Sequence, residues 1–454
     1  MLELNDNIPS LIKYMGSKTE IIQYVINGMN DIHRENQVVC DLFAGSATLS
    51  GAIRGNNIKI FSNDIQKYSE ILAKTYLNKY KWSEYPDIMD IINEVEDIVR
   101  EWENLFEDYY KCYDYYMEFD LVLFKKIEQD QQNIKDDEKF QNIIDNCDSE
   151  SIKKYHLFTK NYSGTFWSFV QCVWIDSLRC VIDRYKYIPE FHNLLLSCTM
   201  YSMAYNSQST GHYAQFRKAN TEKSMNDILI YRRKKITNFF IKKYNEIMRD
   251  ILHDEGDYCT TTLNDDECIA LLPKGTLVYA DPPYCSVHYS RFYHILETFV
   301  KYDYPVIKYD GRYRDDRFQS PYCILSKVRN AFKIMFSDLK SKDCELVLSY
   351  SNSSTTMINL ETLLIDCYSI FNSVDSEIVC NFTEEIKSNI NDSANYDLNE
   401  ININITYILD KKLKIISSYD IILKMFQHKH SRLGRTETKS IDVFETLILA
   451  KKRG

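Results

Sequence analysis

The chain is poor in the residues that break and bend a backbone: its 454 residues include 12 glycines and 8 prolines. Each glycine or proline that does occur is therefore worth reading as punctuation. Its 13 cysteines contain no C-x-x-C pair, which excludes the common zinc and thiol-redox spacings and points to reduced, buried thiols of a cytosolic protein. The 9 histidines offer no metal-ligand spacing, since His428 and His430 merely stand two apart in a loop-like stretch, so no metal is expected. No apolar run approaches the ~20 residues of a membrane-spanning helix. The opening MLELNDNIPSLIKYMGSK lacks the basic-then-apolar order of a signal peptide. A cytoplasmic location and no membrane partner are expected. Positive charge is also short, with a net charge of −10. Any binding of nucleic acid must then come from a local basic patch rather than from the field of the whole molecule.

What is present centres on residues 278–284, VYADPPY. The β-prone run Thr276-Leu277-Val278-Tyr279 suits a buried strand, and prolines must end it because they fix φ and cannot donate to a ladder. Asp281 then falls at the carboxyl end of a strand, where open α/β sheets carry their chemistry. Pro282 and Pro283 stiffen the loop and hold Tyr284 as a flat face. The group suits an exocyclic amine on a planar ring. The Asp281 carboxylate and the Pro282 carbonyl can both accept from an NH2, stabilising the positive charge that develops as nitrogen is alkylated. An ordinary strand with a proline turn would look the same.

Three earlier stretches have compatible shapes. Residues 11–18, LIKYMGSK, place a tight turn before an apolar-periodic segment, with Ser17 as N-cap and Glu20 as its partner. Lys18 beside a helix N-terminus suits a carboxylate or phosphate, unless this is only a capped helix. Residues 38–51, VVCDLFAGSATLSG, read as strand, small-residue turn and helix, the start of a doubly wound fold. No G-K-[ST] follows, so it is not a P-loop. Residues 58–74 give a second strand ending at Asn63-Asp64. An acidic residue roughly 20 positions after a glycine turn is placed for ribose hydroxyls, or Asp64 caps the next helix.

Taken together, KYMGSK, DLFAGSATLSG, SND and ADPPY resemble, in content and order, the Dam-like adenine-N6 DNA methyltransferases. The family's loop usually reads F-x-G-x-G, and here Phe43-Ala44-Gly45-Ser46-Ala47 puts alanine at the second glycine. The resemblance implies an α/β fold: a doubly wound Rossmann-like methyltransferase sheet with a final antiparallel strand, plus a large, mainly helical insert. It implies a discontinuous catalytic domain over 1–79 and 256–454, with 80–255 as the DNA target-recognition insert. S-adenosylmethionine is the implied cofactor, held by Tyr14, Lys18, Asp41, Phe43, Gly45, Ser46, Asp64 and Asp281, with Asn264 or Asp265 towards its adenine. Catalysis falls to Asp281, Pro282, Pro283 and Tyr284, acting on an adenine flipped from double-stranded DNA. A cognate nuclease or other defence-system proteins are possible partners. The rivals are an adenine in RNA as target, and a DNA-binding protein on a decayed methyltransferase fold.

Within the insert, residues 82–116 are helical and aromatic, 128–151 read as an acidic linker or mobile loop, and 161–187 as a Ser-Gly turn and a long apolar helix. Residues 207–217 form a polar loop with Arg217. A helix over 228–252 follows, bearing Arg232, Arg233, Lys234, Lys235, Lys242 and Lys243. These basic residues with interleaved aromatics are the candidate DNA face, or else a solvated helix surface. After the DPPY motif, a helix is expected over 290–300, with Arg291, Arg312, Arg314 and Arg317 as phosphate contacts or surface ion pairs. Residues 346–351 read as the next strand and 356–371 as its helix. Loops and an irregular strand are expected over 372–404, and a final antiparallel strand over 444–450 closing the sheet edge. The basic loop before it, with His428, Lys429, His430, Arg432 and Arg435, is a second candidate DNA contact or a plain loop tip.

Overall fold

A computed structural model describes residues 1–454 other than 6, 15, 17, 209–211, 252–253, 255, 352–355, 395–399, 431–440 and 454; for 391–394, 427–430 and 441–444 it describes the backbone alone. Its strands are β1 Val39–Asp41, β2 Lys59–Asn63, β3 Asp257–Thr261, β4 Leu277–Ala280, β5 Ile307–Lys308, β6 Tyr313–Arg314, β7 Glu345–Ser351, β8 Glu400–Asn404, β9 Tyr419–His430 and β10 Ile441–Lys452. Eight of them form one sheet in the order β3-β2-β1-β4-β7-β10-β9-β8, and β5 and β6 form a separate ribbon. From β3 to β7 the pairs are parallel, with Cys40 opposite Phe61 on one side and Val278 on the other. The β7, β10, β9 and β8 pairs are antiparallel.

The order reverses at β1/β4, the switch point at whose carboxyl ends such sheets bind ligands. Strands β1, β4 and β7 are buried along their whole lengths, as expected of a sheet covered on both faces. Alternate residues feed two cores. Val39, Ile60, Leu277, Tyr279 and Val347 face one that also contains Val25 and Ile26 and the insert's Trp102, Phe158 and Phe169. Cys40, Val278, Leu346 and Leu348 face the other, with Phe332, Phe336, Leu363 and Phe371. The helical segment between β2 and β3 is thus packed into the sheet's own core. Helix Lys67–Leu77 meets insert helix Pro189–Asn206, and the Thr75 and Ser197 hydroxyls lie 2.6 Å apart.

Several expectations need correction. The final antiparallel strand exists, but β10 lies inside the sheet between β7 and β9, and β8 forms that edge. The 128–151 stretch is no linker: it lies in helices Leu121–Asn133, Glu138–Asn146 and Glu150–Lys154. Asp120, Asp137 and Ser149 cap these helices through their side chains, so its acidic and polar residues were helix starts. The supposed 228–252 helix is two, Glu222–Arg232 and Ile236–Asp250, broken at the basic run. Residues 372–404 include helices Ser376–Cys380 and Thr383–Ala394 before β8. Ser17 lies outside the described residues. The segment after it opens as a 3-10 turn, Lys18–Ile21, ahead of helix Ile22–Asn30, whose N-cap is Ile21.

Candidate active site

At the carboxyl ends of β1, β2 and β4 lies a cleft of about 1160 Å³, counting its open mouth. Tyr14, Lys18, Asp41, Phe43, Gly45, Ser46 and Asp64 all line it. So do Asn264, Asp265, Asp281, Pro282, Pro283 and Tyr284. Four stretches far apart in sequence are brought together because each is the loop after a parallel strand or packs against one.

The glycine turn is built around Asp64. Its carboxylate accepts from the Gly45 amide at 2.9 Å and the Gln66 amide at 2.8 Å. It is therefore not the side-chain cap of helix Lys67–Leu77, whose N-cap is Gln66. Burial pushes Asp64 up to about 6, against the pull of those two amides. Gly45 has φ +54, and a Cβ there would stand 2.9 Å from the Tyr14 hydroxyl. Glycine thus suits the turn at least strain and leaves the gap beside Tyr14. Ala47, at the second glycine of the family's loop, also has positive φ, 57. That left-handed conformation costs an alanine roughly 1–2 kcal/mol. Asp41, at the end of β1, accepts from Ser50 at 2.8 Å. Burial lifts it to about 7, the Ser50 bond opposes this, and the nearby Asp281 and Asp64 carboxylates add to it.

Asp281 follows β4 directly, and its side chain is 19% exposed. Lys18 Nζ lies 3.5 Å from its Oδ1 and 3.4 Å from Glu445 Oε2. Burial pushes Asp281 up to about 6, the Lys18 ammonium pulls it down, and Glu445 pushes it up again. Burial disfavours the Lys18 ammonium, but the Asp281 and Glu445 carboxylates outweigh that and hold its pKa well above the usual lysine range. Lys18 is therefore clasped between carboxylates rather than free at a helix end. Tyr284 meets Tyr350 edge-on at 6.1 Å, and its carbonyl accepts from the Met357 amide at 2.9 Å, which fixes the turn.

Asn264 is the N-cap of helix Asp265–Leu271 in a capping box with Glu267, and it lines the cleft as well. The Tyr322 hydroxyl donates to Asp265 at 2.5 Å, and the Tyr322 ring meets Phe43 edge-on at 5.4 Å. Tyr322, Glu445 and Asn63 were missed from sequence. Asn63 donates to the Leu42 and Leu263 carbonyls and accepts from the Leu263 amide, each at 3.1 Å, tying together the loops after β1 and β3. Its position before Asp64 was the only available signal. Tyr322 and Glu445 come from segments without a motif.

The basic run of the insert is not the surface expected. Arg232 is buried, with Nη2 on Glu128 at 2.7 Å and on the Thr165 carbonyl at 2.7 Å. Arg233 donates to the carbonyls of Tyr115 and Met117. Lys234 donates to the Tyr205 carbonyl at 3.2 Å and lies 3.9 Å over the Tyr231 ring. Lys243 is buried against the Ser10 carbonyl at 2.7 Å, while Lys235 and Lys242 are exposed. These cations satisfy carbonyls of distant segments, while the carbonyls of Tyr231 and Lys234 at the break between the two helices accept from the Gln171 side chain at 2.8 and 2.9 Å. Arg312 is likewise buried against the carbonyls of Asn161 and Gln132, and Arg314 is paired with Asp303 and Asp316. Neither is a free phosphate contact.

Other cations remain at the surface. Arg217 is half-exposed and pairs with Asp227 at 3.1 Å. The Arg291 and Arg317 guanidiniums lie 5.4 and 5.1 Å from the Tyr313 ring centroid, next to the cleft-lining Ser290 and Phe318. Residues 212 and 213 are held there, with the Tyr213 amide on the Phe292 carbonyl at 2.7 Å and His212 stacked on Phe292 at 4.5 Å. Arg432 and Arg435 lie outside the described residues, as do the side chains of His428, Lys429 and His430. Among the described residues there is no cluster of three metal-ligating side chains, and no helix long and apolar enough to cross a membrane.

A family model described as D12 class N6 adenine-specific DNA methyltransferase matches residues 14–363. The modification methylase LlaI of Lactococcus lactis subsp. lactis is 22% identical over 76% of this chain and 46% of its own length. The modification methylase StsI of Streptococcus sanguinis is 24% identical over 44% of this chain and 29% of its own. The type II methyltransferase M.FokI of Planomicrobium okeanokoites is 26% identical over 39% of this chain and 25% of its own. The chain spans less than half the length of each of these relatives.

Proposed function

The chain belongs to the D12 class of N6 adenine-specific DNA methyltransferases, and from that premise we propose that it methylates the N6 amine of an adenine in a specific sequence of double-stranded DNA, using S-adenosylmethionine. One observation carries this: the 281–284 turn opens into the same cleft as the Gly45–Asp64 turn.

The cleft suits such a cofactor. Gly45 leaves a gap that a Cβ would close against Tyr14, Asp64 offers a carboxylate at the end of β2, and Phe43 and Tyr14 supply aromatic walls. Asn264 and Asp265 are the candidates for its adenine edge. When bound, S-adenosylmethionine supplies a methyl group on a positively charged sulfur. This chain's part is to present the acceptor. The Asp281 carboxylate and the Pro282 carbonyl take the two N–H bonds of the amine and draw its lone pair out of the ring. Tyr284 stacks on the base, which must leave the duplex to be reached. Asp281 then stabilises the charge that develops on nitrogen, and the surplus proton leaves the amine after transfer. The remaining catalysis is positioning.

The insert, 80–255, serves as the target-recognition region, with Arg217 and Lys235 exposed on it, and Arg291 and Arg317 as phosphate contacts at the cleft rim. The relatives are named modification methylases; on this reading the chain acts in the cytoplasm, with a cognate nuclease as its partner. The test is single-molecule sequencing for N6-methyladenine in DNA from cells expressing this chain, beside Asp281→Ala. A modified motif seen only with the intact chain is expected. Cofactor binding without DNA methylation would move the target to RNA or require a partner, and loss of both would favour a DNA-binding protein on a decayed fold.

A further inference from the structure

We propose that Glu445 is a positioning residue for the reaction: it holds the Lys18 ammonium between two carboxylates and so keeps an Asp281 oxygen open to the substrate amine. The inference rests on the methyl-transfer reading above. Glu445 lies beyond the 14–363 stretch that matches the family, and it reaches the site on β10, opposite Ser351 at the end of β7.

The distances carry the argument. Lys18 Nζ is 3.5 Å from Asp281 and 3.4 Å from Glu445, both longer than the about 2.7–2.9 Å of a close charge-assisted hydrogen bond. The ammonium is thus shared: it donates to Glu445 and stays within ion-pair range of Asp281. All three side chains are largely buried, at 12%, 19% and 8% exposure. A glutamate this buried, on a strand whose next positions include Leu447, Ile448 and Leu449, is costly unless it is paired. Without Glu445 the ammonium has a single anionic neighbour among the described residues. It closes on Asp281 and occupies the acceptor that the amine needs. The other titratable groups facing Asp281 are Asp41, Tyr279, Tyr284 and Tyr289, and Tyr24 lies near Glu445. Burial pushes each of these toward its neutral form, which among the described residues leaves Lys18, Asp281 and Glu445 as the charges in play.

The experiment compares the full chain with Glu445→Gln and Glu445→Asp. It reads kcat against pH on methylatable DNA, cofactor affinity by calorimetry, and the melting midpoint. E445Q should lower kcat by about 10- to 100-fold, the scale of a misplaced reacting group, with cofactor affinity within about threefold. Its acid limb should move down by about one pH unit, because Asp281 loses a repelling carboxylate and gains the whole ammonium. E445D should recover most of the rate and the original limb. An E445Q with the wild-type rate and limb overturns the proposal. So does one whose lost rate comes with a lower melting midpoint and an unmoved limb, since that is a structural role. Absence of any methyl transfer by the wild-type chain, with cofactor bound, instead overturns the functional reading and this inference with it.

Discussion

Replacing Arg232 decides whether the basic run of the insert is scaffold or DNA face. Its Nε and Nη2 donate to Glu128 at 3.1 and 2.7 Å, and the two side chains are 1% and 10% exposed. The Tyr115 hydroxyl also donates to Glu128, so the carboxylate is enclosed. Arg232→Ala leaves that buried anion without its cation, which costs about 3–5 kcal/mol. An unfolding entropy of about 2.1 cal/mol/K per residue amounts to about 1 kcal/mol/K for a chain of this length unfolding as one unit. The midpoint should therefore fall by about 3–5 °C. Glu128→Leu combined with Arg232→Met should restore most of it, because an apolar pair of similar volume replaces a buried ion pair at little cost. Scanning calorimetry reads both variants. Titration of DNA over a range of salt, well below the midpoint, should give Arg232→Ala the wild-type slope. A slope shallower by about 0.9, one phosphate's worth, with an unchanged melting midpoint, would refute the scaffold reading.

Four further outcomes are expected. Gly45→Ala should weaken S-adenosylmethionine binding at least tenfold by calorimetry, since the new Cβ meets the Tyr14 hydroxyl at 2.9 Å in a φ +54 backbone; unchanged affinity would place the cofactor elsewhere. With Asp281 held up to about 6, kcat/KM should fall tenfold per unit below about pH 6 as the carboxylate protonates, and a flat profile down to about pH 5 would contradict its role. The same raised value means that the Asp281 contribution to folding stability is greatest at low pH and is lost as the pH rises through 6. Arg291→Ala and Arg317→Ala should each reduce the salt slope of DNA binding by about 0.9, and a variant with an unaltered slope removes that residue from the phosphate contacts.

The two central strands at the cleft, β1 and β4, were legible because their ends carry their own punctuation. Gly45 with φ +54 and the two prolines after Asp281 leave few alternatives for the backbone. Asp64 was legible from its spacing, although its hold on the Gly45 and Gln66 amides is visible only in three dimensions. The basic run misled because sequence shows charge but not partners. Glu128 is 104 positions from Arg232, and the Tyr115 carbonyl 118 from Arg233. The 128–151 helices were misread as a linker for the same reason: their few apolar residues, Phe140 and Ile144 among them, fill a core assembled from distant segments. Strand order beyond β7 was not legible, since period-2 alternation gives a strand's faces but not its neighbours.

The interior place of β10 has a consequence for how the protein is made. Ribosomes deliver the chain from its N-terminus, so β1, β2, β3, β4 and β7 are all available while the free side of β7 still waits for a strand encoded almost 100 residues later. In that interval the nascent protein carries a long, buried-type strand edge exposed to solvent, the feature that invites pairing with other chains. Strands β9 and β10 pair along their full lengths and are positioned to arrive as a ready hairpin that seals the edge in one event. Glu445 travels on that hairpin, so the clasp around Lys18 is completed only by the same docking. Chaperone dependence during translation, and the appearance of catalytic competence, should therefore track a single late step.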